Sequence, residues 1–242
     1  MNTIKINSGN VKTISHRGIS GLERENTCPS FVAACNRTYY GIETDVHVTK
    51  DKKFVIIHDE TTSRVSLTHD INVEENDYSA LENIVLPDLD GSFDRKDIRI
   101  PLLQEYIKIC KKYEKFCVLE VKNHFEEDDL KKLIDEIAAM DYLDHVIFIS
   151  FDLDNCINTR KYLKDNDVQW IIGRKEITDD IIQILCDNSL NLDVNYRMVD
   201  KALVEKLHSK GIKVNCWTCD DKDDAEFLVG CGVDFITTNI LE

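Results

Sequence analysis

Residues 116–122 read FCVLEVK, and residues 127–140 after them read EDDLKKLIDEIAAM. The first run is short and apolar, whereas apolar side chains in the second recur at helical spacing. The same alternation continues to the end of the chain, with further strand-like runs at 145–151, 168–173, 190–196, 213–219 and 233–239. Strands that alternate with helices pair in parallel. This half of the sequence therefore predicts an α/β fold with six parallel strands.

The N-terminal part adds two strands to this count. TISHRG at 13–18 precedes the helical stretch CPSFVAACNRTYY, and GIETDVHV follows at 41–48. Eight parallel strands separated by helices are typical of a closed (β/α)8, or TIM, barrel. No Pro-, Gly- or Ser-rich linker divides the 242 residues. We therefore expect one barrel domain over residues 1–242.

A ninth strand-like run, FVIIHD at 54–59, begins about five residues after the second strand ends, too few for a parallel crossover. TKDKK at 49–53 is therefore predicted to be a hairpin turn, with FVIIHD antiparallel to the second strand. Counting back along both strands brings His58 level with Asp45 to within a residue or two. Residues 60–100 are irregular and acidic, which predicts an insertion over the barrel mouth or, alternatively, a solvated surface loop.

The composition limits the partners of the protein. With 45 acidic and 30 basic side chains, the net charge of −15 argues against nucleic acid and anionic membrane surfaces and leaves small molecules as the expected partners. No apolar run is long enough for a signal peptide or a membrane span, so we expect a cytoplasmic protein. No heptad pattern predicts an oligomer, and the oligomeric state stays open.

The nine cysteines are an odd number without framework spacing, so we expect reduced thiols, most of them in the core. Cys216 and Cys219 form one CxxC, but no second pair accompanies it. A redox or zinc site is therefore not expected there.

Carboxylates are paired on two of the predicted strands. Glu43 and Asp45 lie two residues apart, as do Glu120 and Lys122, so the members of each pair point to the same face. Three carboxylates inside a barrel are costly unless a cation neutralises them, and a hard divalent ion prefers oxygen ligands. Glu43, Asp45 and Glu120 therefore predict a Mg²⁺ or Ca²⁺ site, unless they face outward or pair with Lys and Arg.

Two histidines end strands beside this predicted metal site. His16 follows the first strand and His58 ends the hairpin, so we expect a general acid and a general base without assigning which is which. Arg17 and Lys122 offer a forked donor and a point charge to a phosphate group. Trp217 ends a later strand, where it packs either against the carbon skeleton of a substrate or in the core.

Several separate motifs together resemble the glycerophosphodiester phosphodiesterase family. They are SHRG at 15–18, ERENT at 23–27, GIETDVHVTKD at 41–51, FVIIHDE at 54–60, VLEVK at 118–122 and VNCWTCDDKDDAEFLVGCGVDFITTN at 214–239. The resemblance implies a TIM barrel that uses Ca²⁺ or Mg²⁺ to cleave glycerophosphodiesters into glycerol 3-phosphate and an alcohol. It spans nearly the whole chain and is weakest at 60–100.

The resemblance also implies roles for single residues. The metal ligands match Glu43, Asp45 and Glu120; the catalytic histidines match His16 and His58; the phosphate contacts match Arg17 and Lys122; and a glutamate that lines the site matches Glu25. The chain departs from the family at Arg24, where proline is more common, and at Asn239, where relatives carry aspartate. We interpret Asn239 as a replaced acidic cap without a part in catalysis.

Two alternatives accompany this hypothesis. A lysophospholipase D would use the same chemistry on lysophospholipids, but it needs an apolar surface near the mouth, and the acidic residues 60–100 offer little. A barrel that only binds a phosphorylated metabolite is a second alternative, because fold does not establish function. That alternative predicts eroded catalytic positions, whereas every polar position that the chemistry needs is filled. No motif indicates which alcohol is released.

Overall fold

The computed structural model describes residues 2–173 and 176–242. Nine strands form one sheet: β1 (Lys12–Ser15), β2 (Gly41–Val48), β3 (Phe54–Ile56), β4 (Phe116–Val121), β5 (Val146–Ser150), β6 (Val168–Ile172), β7 (Asn191–Asn195), β8 (Val214–Trp217) and β9 (Phe235–Thr238). All of them except β3 pair in parallel, and β1 pairs with both β2 and β9. The sheet therefore closes into the predicted eight-stranded parallel barrel.

Helices connect the strands of the barrel. They are α1 (Cys28–Cys35), α2 (Ser63–Ser66), α3 (Leu103–Lys112), α4 (Glu127–Ala139), α5 (Leu153–Tyr162), α6 (Asp179–Asp187), α7 (Lys201–His208) and α8 (Lys222–Cys231). The short α2 follows the hairpin strand β3, and each of the other seven helices comes directly before the next barrel strand or before a 3-10 turn that leads into it. This order confirms the TIM barrel predicted from the alternation of apolar and amphipathic segments.

The period-two alternation of the strands separates two cores. On β4, Cys117 and Leu119 belong to the large cluster that includes buried helix residues, whereas Val118 belongs to a smaller cluster with Ile149 and Phe235. That smaller cluster fills the barrel interior. Since Glu120 shares the parity of Val118, its carboxylate faces the interior of the barrel.

The predicted hairpin is present. β3 runs antiparallel to β2 with Val48 opposite Phe54 and Val46 opposite Ile56, and the Ile57 amide donates to the Asp45 carbonyl at 3.1 Å. His58 therefore lies one position past the level of Asp45, within the predicted register.

Residues 60–100, which we name the insertion lobe, are irregular as expected but do not form a solvated loop. The lobe holds α2 and a short 3-10 helix at Tyr78–Ala80. Its apolar side chains pack with those of the hairpin in a cluster of their own, formed by Val55, Ile57, Val65, Val73, Leu81, Ile84, Leu86, Ile98 and Ile100. The hydrophobic effect therefore holds the lobe against the hairpin strand.

All nine cysteines are free, and all except Cys28 and Cys186 are buried, as predicted. Cys216 and Cys219 lie in the core, where burial raises the pKa of both thiols, that of Cys219 to about 12. Protonated, buried thiols are unreactive. Within residues 2–173 and 176–242, no helix is both long enough and apolar enough to cross a membrane.

Candidate active site

Three carboxylates meet inside the barrel on the neighbouring strands β2 and β4. Asp45 and Glu120 are direct neighbours across the two strands, and Glu43 lies two residues before Asp45. One carboxylate oxygen from each residue lies within 4.8 Å of the others. The residues are 3% (Glu43), 1% (Asp45) and 7% (Glu120) exposed. The structure therefore brings together the three residues predicted as metal ligands and points them inward.

The close approach of the three carboxylates opposes their joint ionisation. Burial, with Asp45 and Glu120 nearby, raises the pKa of Glu43 well above its ordinary value. Burial and Asp45 also raise the pKa of Glu120 to about 7. Burial alone would raise the pKa of Asp45, but Arg17 and Lys122 lower it. The Asp45 Oδ1 atom has no hydrogen-bond partner among the described residues. Three clustered hard oxygen donors whose joint ionisation needs further positive charge suit a divalent cation.

Both residues predicted to bind phosphate lie beside the carboxylates. The Lys122 Nζ atom is 2.8 Å from Glu120 Oε1 and 3.6 Å from Asp45 Oδ1. The Arg17 Nε atom is 3.5 Å from Asp45 Oδ2 and has no hydrogen-bond partner in the described part of the chain. Each side chain is thus close to the carboxylate cluster and supplies positive charge there.

A tight turn after β1 places Arg17. Its backbone adopts φ 53°, and its amide donates to Glu43 Oε2 at 2.7 Å. The next residue, Gly18, has φ 74°, and a Cβ atom there would lie 2.2 Å from Ser30 Oγ. Only glycine fits this close approach of the turn to α1. The SHRG motif therefore connects β1 to the carboxylate cluster through its backbone.

Glu25 belongs to a charged network at the rim of the site. Its carboxylate accepts from Arg17 Nη1 at 2.9 Å and from both terminal nitrogens of Arg64 at 2.9 Å. Burial opposes ionisation, but Arg64 and Arg17 lower the pKa of Glu25 to about 2. Arg24, from the same loop, donates to the Val65 carbonyl at 2.6 Å. This loop is therefore joined to the insertion lobe.

His58 is oriented by a carboxylate. Its Nδ1 atom lies 2.6 Å from Asp59 Oδ1, and Arg64 Nε lies 2.5 Å from Asp59 Oδ2. Burial opposes the ionisation of Asp59, but Arg64 and His58 lower its pKa to about 2. This carboxylate is therefore ionised and can only accept hydrogen bonds. The Nδ1 atom of His58 is therefore the donor. His47 contacts the His58 carbonyl through Nε2 at 3.2 Å and Glu74 through Nδ1 at 2.8 Å.

His16 is oriented by an amide. Its Nδ1 atom lies 2.7 Å from Asn239 Oδ1, and Asn239 Nδ2 donates to Asp220 at 2.6 Å. Burial, with the charge of Arg17, lowers the pKa of His16 to about 4, so the imidazole is neutral near pH 7. Asn239, which we interpreted as a replaced acidic cap without a part in catalysis, thus contacts one of the predicted catalytic histidines. Its sequence distance of 223 residues from His16 hides a direct contact.

One cavity of about 130 Å³ collects most of these groups. Its polar side is formed by His16, Arg17, Glu43, His58 and Glu120, and its apolar side by Ile149, Phe151, Ile171 and Trp217. Trp217 therefore lines the cavity, and its ring meets Phe151 edge-on at 5.6 Å between centroids. Glu25 lies outside the cavity, in an adjoining groove that it shares with His16, Arg17 and Asn239.

Comparison with known proteins identifies the family of the chain. Residues 16–242 match the sequence model of the glycerophosphoryl diester phosphodiesterase family. The chain belongs to this family. It is also 30% identical to a glycerophosphodiester phosphodiesterase of Caldanaerobacter subterraneus subsp. tengcongensis, over 93% of each chain.

Solved structures of the family share the fold. A glycerophosphodiester phosphodiesterase from Parabacteroides distasonis is 26% identical and superposes with a TM-score of 0.77, covering 95% of this chain and 93% of that one. An Oleispira antarctica phosphodiesterase, in complex with the product sn-glycerol 3-phosphate, has a TM-score of 0.81 at 22% identity, covering 98% and 96%. The family consists of phosphoric diester hydrolases, and this chain has their barrel.

Sequence reasoning missed Arg64, His47 and the pair of Asn239 and Asp220. Arg64 lies in the run HDETTSR, six residues after His58, which is a signal that could have been followed. The other contacts join distant segments of the chain. These contacts form only when the barrel brings the ends of the strands together, so the sequence alone does not indicate them.

Proposed function

We propose that this chain hydrolyses glycerophosphodiesters to sn-glycerol 3-phosphate and an alcohol. One observation carries the proposal: a cluster of buried carboxylates lies beside two oriented imidazoles and two cationic side chains. The name of the Caldanaerobacter relative and the product held by the Oleispira phosphodiesterase support the same substrate class. The predicted single domain over residues 1–242 and the cytoplasmic location remain predictions from the sequence.

Glu43, Asp45 and Glu120 would hold the divalent cation, Mg²⁺ or Ca²⁺. All three offer hard oxygen donors, and Asp45 Oδ1 is buried without a hydrogen-bond partner among the described residues, so the set fits such an ion. When bound, the cation neutralises the cluster and lowers the pKa of a hydroxyl group that it contacts.

His16 acts as the general base of the first step. Its Nδ1 atom is occupied by Asn239, which leaves the Nε2 atom as the acceptor. We infer that Nε2 removes the proton from the glycerol hydroxyl next to the phosphate. The hydroxyl oxygen attacks phosphorus, and the bond from phosphorus to the alcohol oxygen breaks, which gives a cyclic phosphate.

His58 acts as the general acid and protonates the leaving alcohol. Burial, with Arg17 and Lys122 nearby, lowers the pKa of His58, while the charge of Asp45 and the hydrogen bond to Asp59 oppose that effect. An anionic phosphate entering the cavity further favours the imidazolium. Arg17 and Lys122 stabilise the charge that develops on the phosphate oxygens. Water then opens the cyclic phosphate with the roles of the two histidines exchanged.

A lysophospholipid substrate is the second candidate, because the structure offers an apolar surface that the sequence did not indicate. Phe151 is 49% exposed and packs against Trp217 at the cavity. An apolar surface beside the phosphate-binding groups could contact an acyl chain. Turnover of glycerophosphocholine and of lysophosphatidylcholine, measured side by side, separates the two candidates.

The assay that tests the proposal follows sn-glycerol 3-phosphate release from glycerophosphocholine and glycerophosphoethanolamine. It is run with Mg²⁺, with Ca²⁺ and with a chelator. We expect release that depends on the metal. Binding of the diester in a calorimeter without release under any condition would contradict the proposal and favour a barrel that only binds its ligand.

A further inference from the structure

A buried carboxyl group without a partner lies in the same cavity, outside the metal cluster. Asp193, on β7, is 2% exposed and lines the cavity. Its Oδ1 atom has no hydrogen-bond partner within the part of the chain that the structure describes. A buried carboxyl without a partner destabilises a fold unless a ligand supplies one.

A donor without a partner lies close by along the barrel wall. The Nε1 atom of Trp217 is buried and has no acceptor among the described residues. Trp217 pairs with Asn195 across β7 and β8, and Asp193 lies two residues before Asn195. Trp217 and Asp193 therefore face the same side of the sheet. Trp217 lies two residues nearer to the carboxyl ends of the strands, where the barrel opens.

We propose that Asp193 and the indole nitrogen of Trp217 form a subsite for the terminal free hydroxyl of a glycerol group. This inference rests on the proposed function and deepens it. A hydroxyl is the group that can donate to a carboxyl oxygen and accept from an indole N–H at the same time. Ile149 and Ile171, which line the same cavity, offer apolar contacts to the carbon chain of the glycerol.

The subsite would select against acylated glycerol. An ester oxygen carries no hydrogen, so an acyl group in this position leaves the acceptor oxygen of the Asp193 carboxyl without a donor in the complex. Burial, with Glu120 and Asp167 nearby, raises the pKa of Asp193 well above its ordinary value. A neutral carboxyl adds no further negative charge next to the carboxylate cluster and the phosphate.

The test compares two substrates that differ only in this hydroxyl. Choline release is measured from glycerophosphocholine and from its analogue built on propane-1,2-diol, which keeps the hydroxyl next to the phosphate but ends in a methyl group. We expect the wild type to favour glycerophosphocholine in kcat/KM by roughly 10- to 100-fold, because the analogue leaves buried polar groups unpaired.

The variants Asp193→Val and Asp193→Asn locate the effect. In Asp193→Val, kcat/KM for glycerophosphocholine should fall to about the value for the analogue. The kcat/KM for the analogue itself should change by less than about threefold. Asp193→Asn keeps an oxygen acceptor and should retain part of the preference. Asp193→Val should also melt at the same temperature as the wild type or higher, since it removes an unpaired buried carboxyl. Asp152→Asn is the control, because Asp152 caps α5 outside this cavity and asparagine can also cap a helix. This variant should leave the preference for glycerophosphocholine unchanged.

Calorimetry with sn-glycerol 3-phosphate and propane-1,2-diol phosphate tests the subsite without turnover. We expect glycerol 3-phosphate to bind at least about 10-fold more tightly to the wild type but not to Asp193→Val. Equal binding of both ligands by the wild type would overturn the subsite, as would a preference that survives Asp193→Val. Weaker cation binding by Asp193→Val with an unchanged preference would instead make Asp193 a metal ligand. If the protein prefers sn-glycerol 3-phosphate in binding but turns over neither diester, the proposed function is contradicted and the subsite is not.

Discussion

The Nδ1 atom of His16 lies 2.7 Å from the side-chain oxygen of Asn239. The orientation of this amide is determined by Asp220, which accepts from Asn239 Nδ2 at 2.6 Å and from the Asn239 backbone amide at 2.7 Å. Because the amide oxygen can only accept, Nδ1 of His16 carries the hydrogen. The Nε2 atom is therefore free to accept a proton.

Asn239→Asp should change the pH dependence of the reaction. A carboxylate beside Nδ1 stabilises the imidazolium, so the pKa of His16 rises from about 4. Since the base must be unprotonated, activity falls as the pH drops through this pKa. We expect the acid limb of the kcat/KM profile to move to higher pH by about one unit or more. Asn36→Asp, at an exposed position after α1, is the control, and an unshifted limb in Asn239→Asp would contradict the contact.

Each of the two histidines should be required for turnover. His16→Ala and His58→Ala should each lower kcat by at least about 10²-fold, because each removes a proton-transfer group. Initial rates of sn-glycerol 3-phosphate release check this. His124→Ala, an exposed histidine paired with Asp152, should keep nearly the full rate. Near-normal turnover in either of the first two variants would remove that histidine from the mechanism.

Arg64 should act by positioning other groups. It forms paired hydrogen bonds with both Glu25 and Asp59, so Arg64→Ala releases the carboxylates that hold Arg17 and His58. We expect kcat to fall roughly 10- to 100-fold, since misplaced catalytic groups are costly. The melting temperature should change little, because ion pairs of a half-exposed side chain contribute little stability.

Arg64→Lys should recover part of the lost rate, since lysine keeps the charge but not the forked geometry. Arg95→Ala removes comparable ion pairs, one with Asp88 of the insertion lobe and one with Glu23, and should not affect kcat. A loss of melting temperature that accounts for the whole loss of activity would contradict the positioning role.

Asp129 should stabilise the fold in a pH-dependent way. This buried carboxylate on α4 lies 2.6 Å from Lys52 of the hairpin turn and 3.3 Å from Lys132. Burial opposes ionisation, but the two lysines lower the pKa of Asp129 below its ordinary value. The stabilisation is therefore complete above the unfolded-state pKa of about 3.9 and is lost as the pH falls through the folded-state pKa.

Asp129→Asn should lower the free energy of unfolding by about 1–3 kcal/mol at neutral pH. Urea unfolding at pH 7 and at about pH 3 should show that this difference narrows in acid. Asp135→Asn, an exposed position paired with Lys131 within the same helix, should change the stability by less than about 0.5 kcal/mol. An equal cost of Asp129→Asn at both pH values would contradict the linkage.

The barrel and the carboxylate cluster could be predicted because their signals are local. Alternating segments predict parallel strands, and residues two apart on a strand share a face, which places Glu43 with Asp45 and Glu120 with Lys122. The register of the hairpin could be predicted from the length of the turn between β2 and β3. His58 accordingly lies within one position of its predicted level.

The contacts that orient the histidines could not be predicted in the same way. Asn239 reaches His16 only because β1 and β9 are neighbours in the closed barrel. The insertion lobe has no helical or strand period, so its apolar side chains gave no sign that they pack against Val55 and Ile57. Both features depend on tertiary packing of segments that the sequence keeps apart.

The central claim is that a divalent cation held by Glu43, Asp45 and Glu120 is required for release of sn-glycerol 3-phosphate. The most direct measurement is the rate of release from glycerophosphocholine as Mg²⁺ or Ca²⁺ is added back to chelator-treated wild type and Glu43→Gln, with the exposed Glu60→Gln as control. We predict no release without the metal, full recovery in the wild type and in Glu60→Gln, and at least a roughly 10²-fold loss in Glu43→Gln. A full rate in the presence of chelator, or a wild-type metal response in Glu43→Gln, would contradict the account.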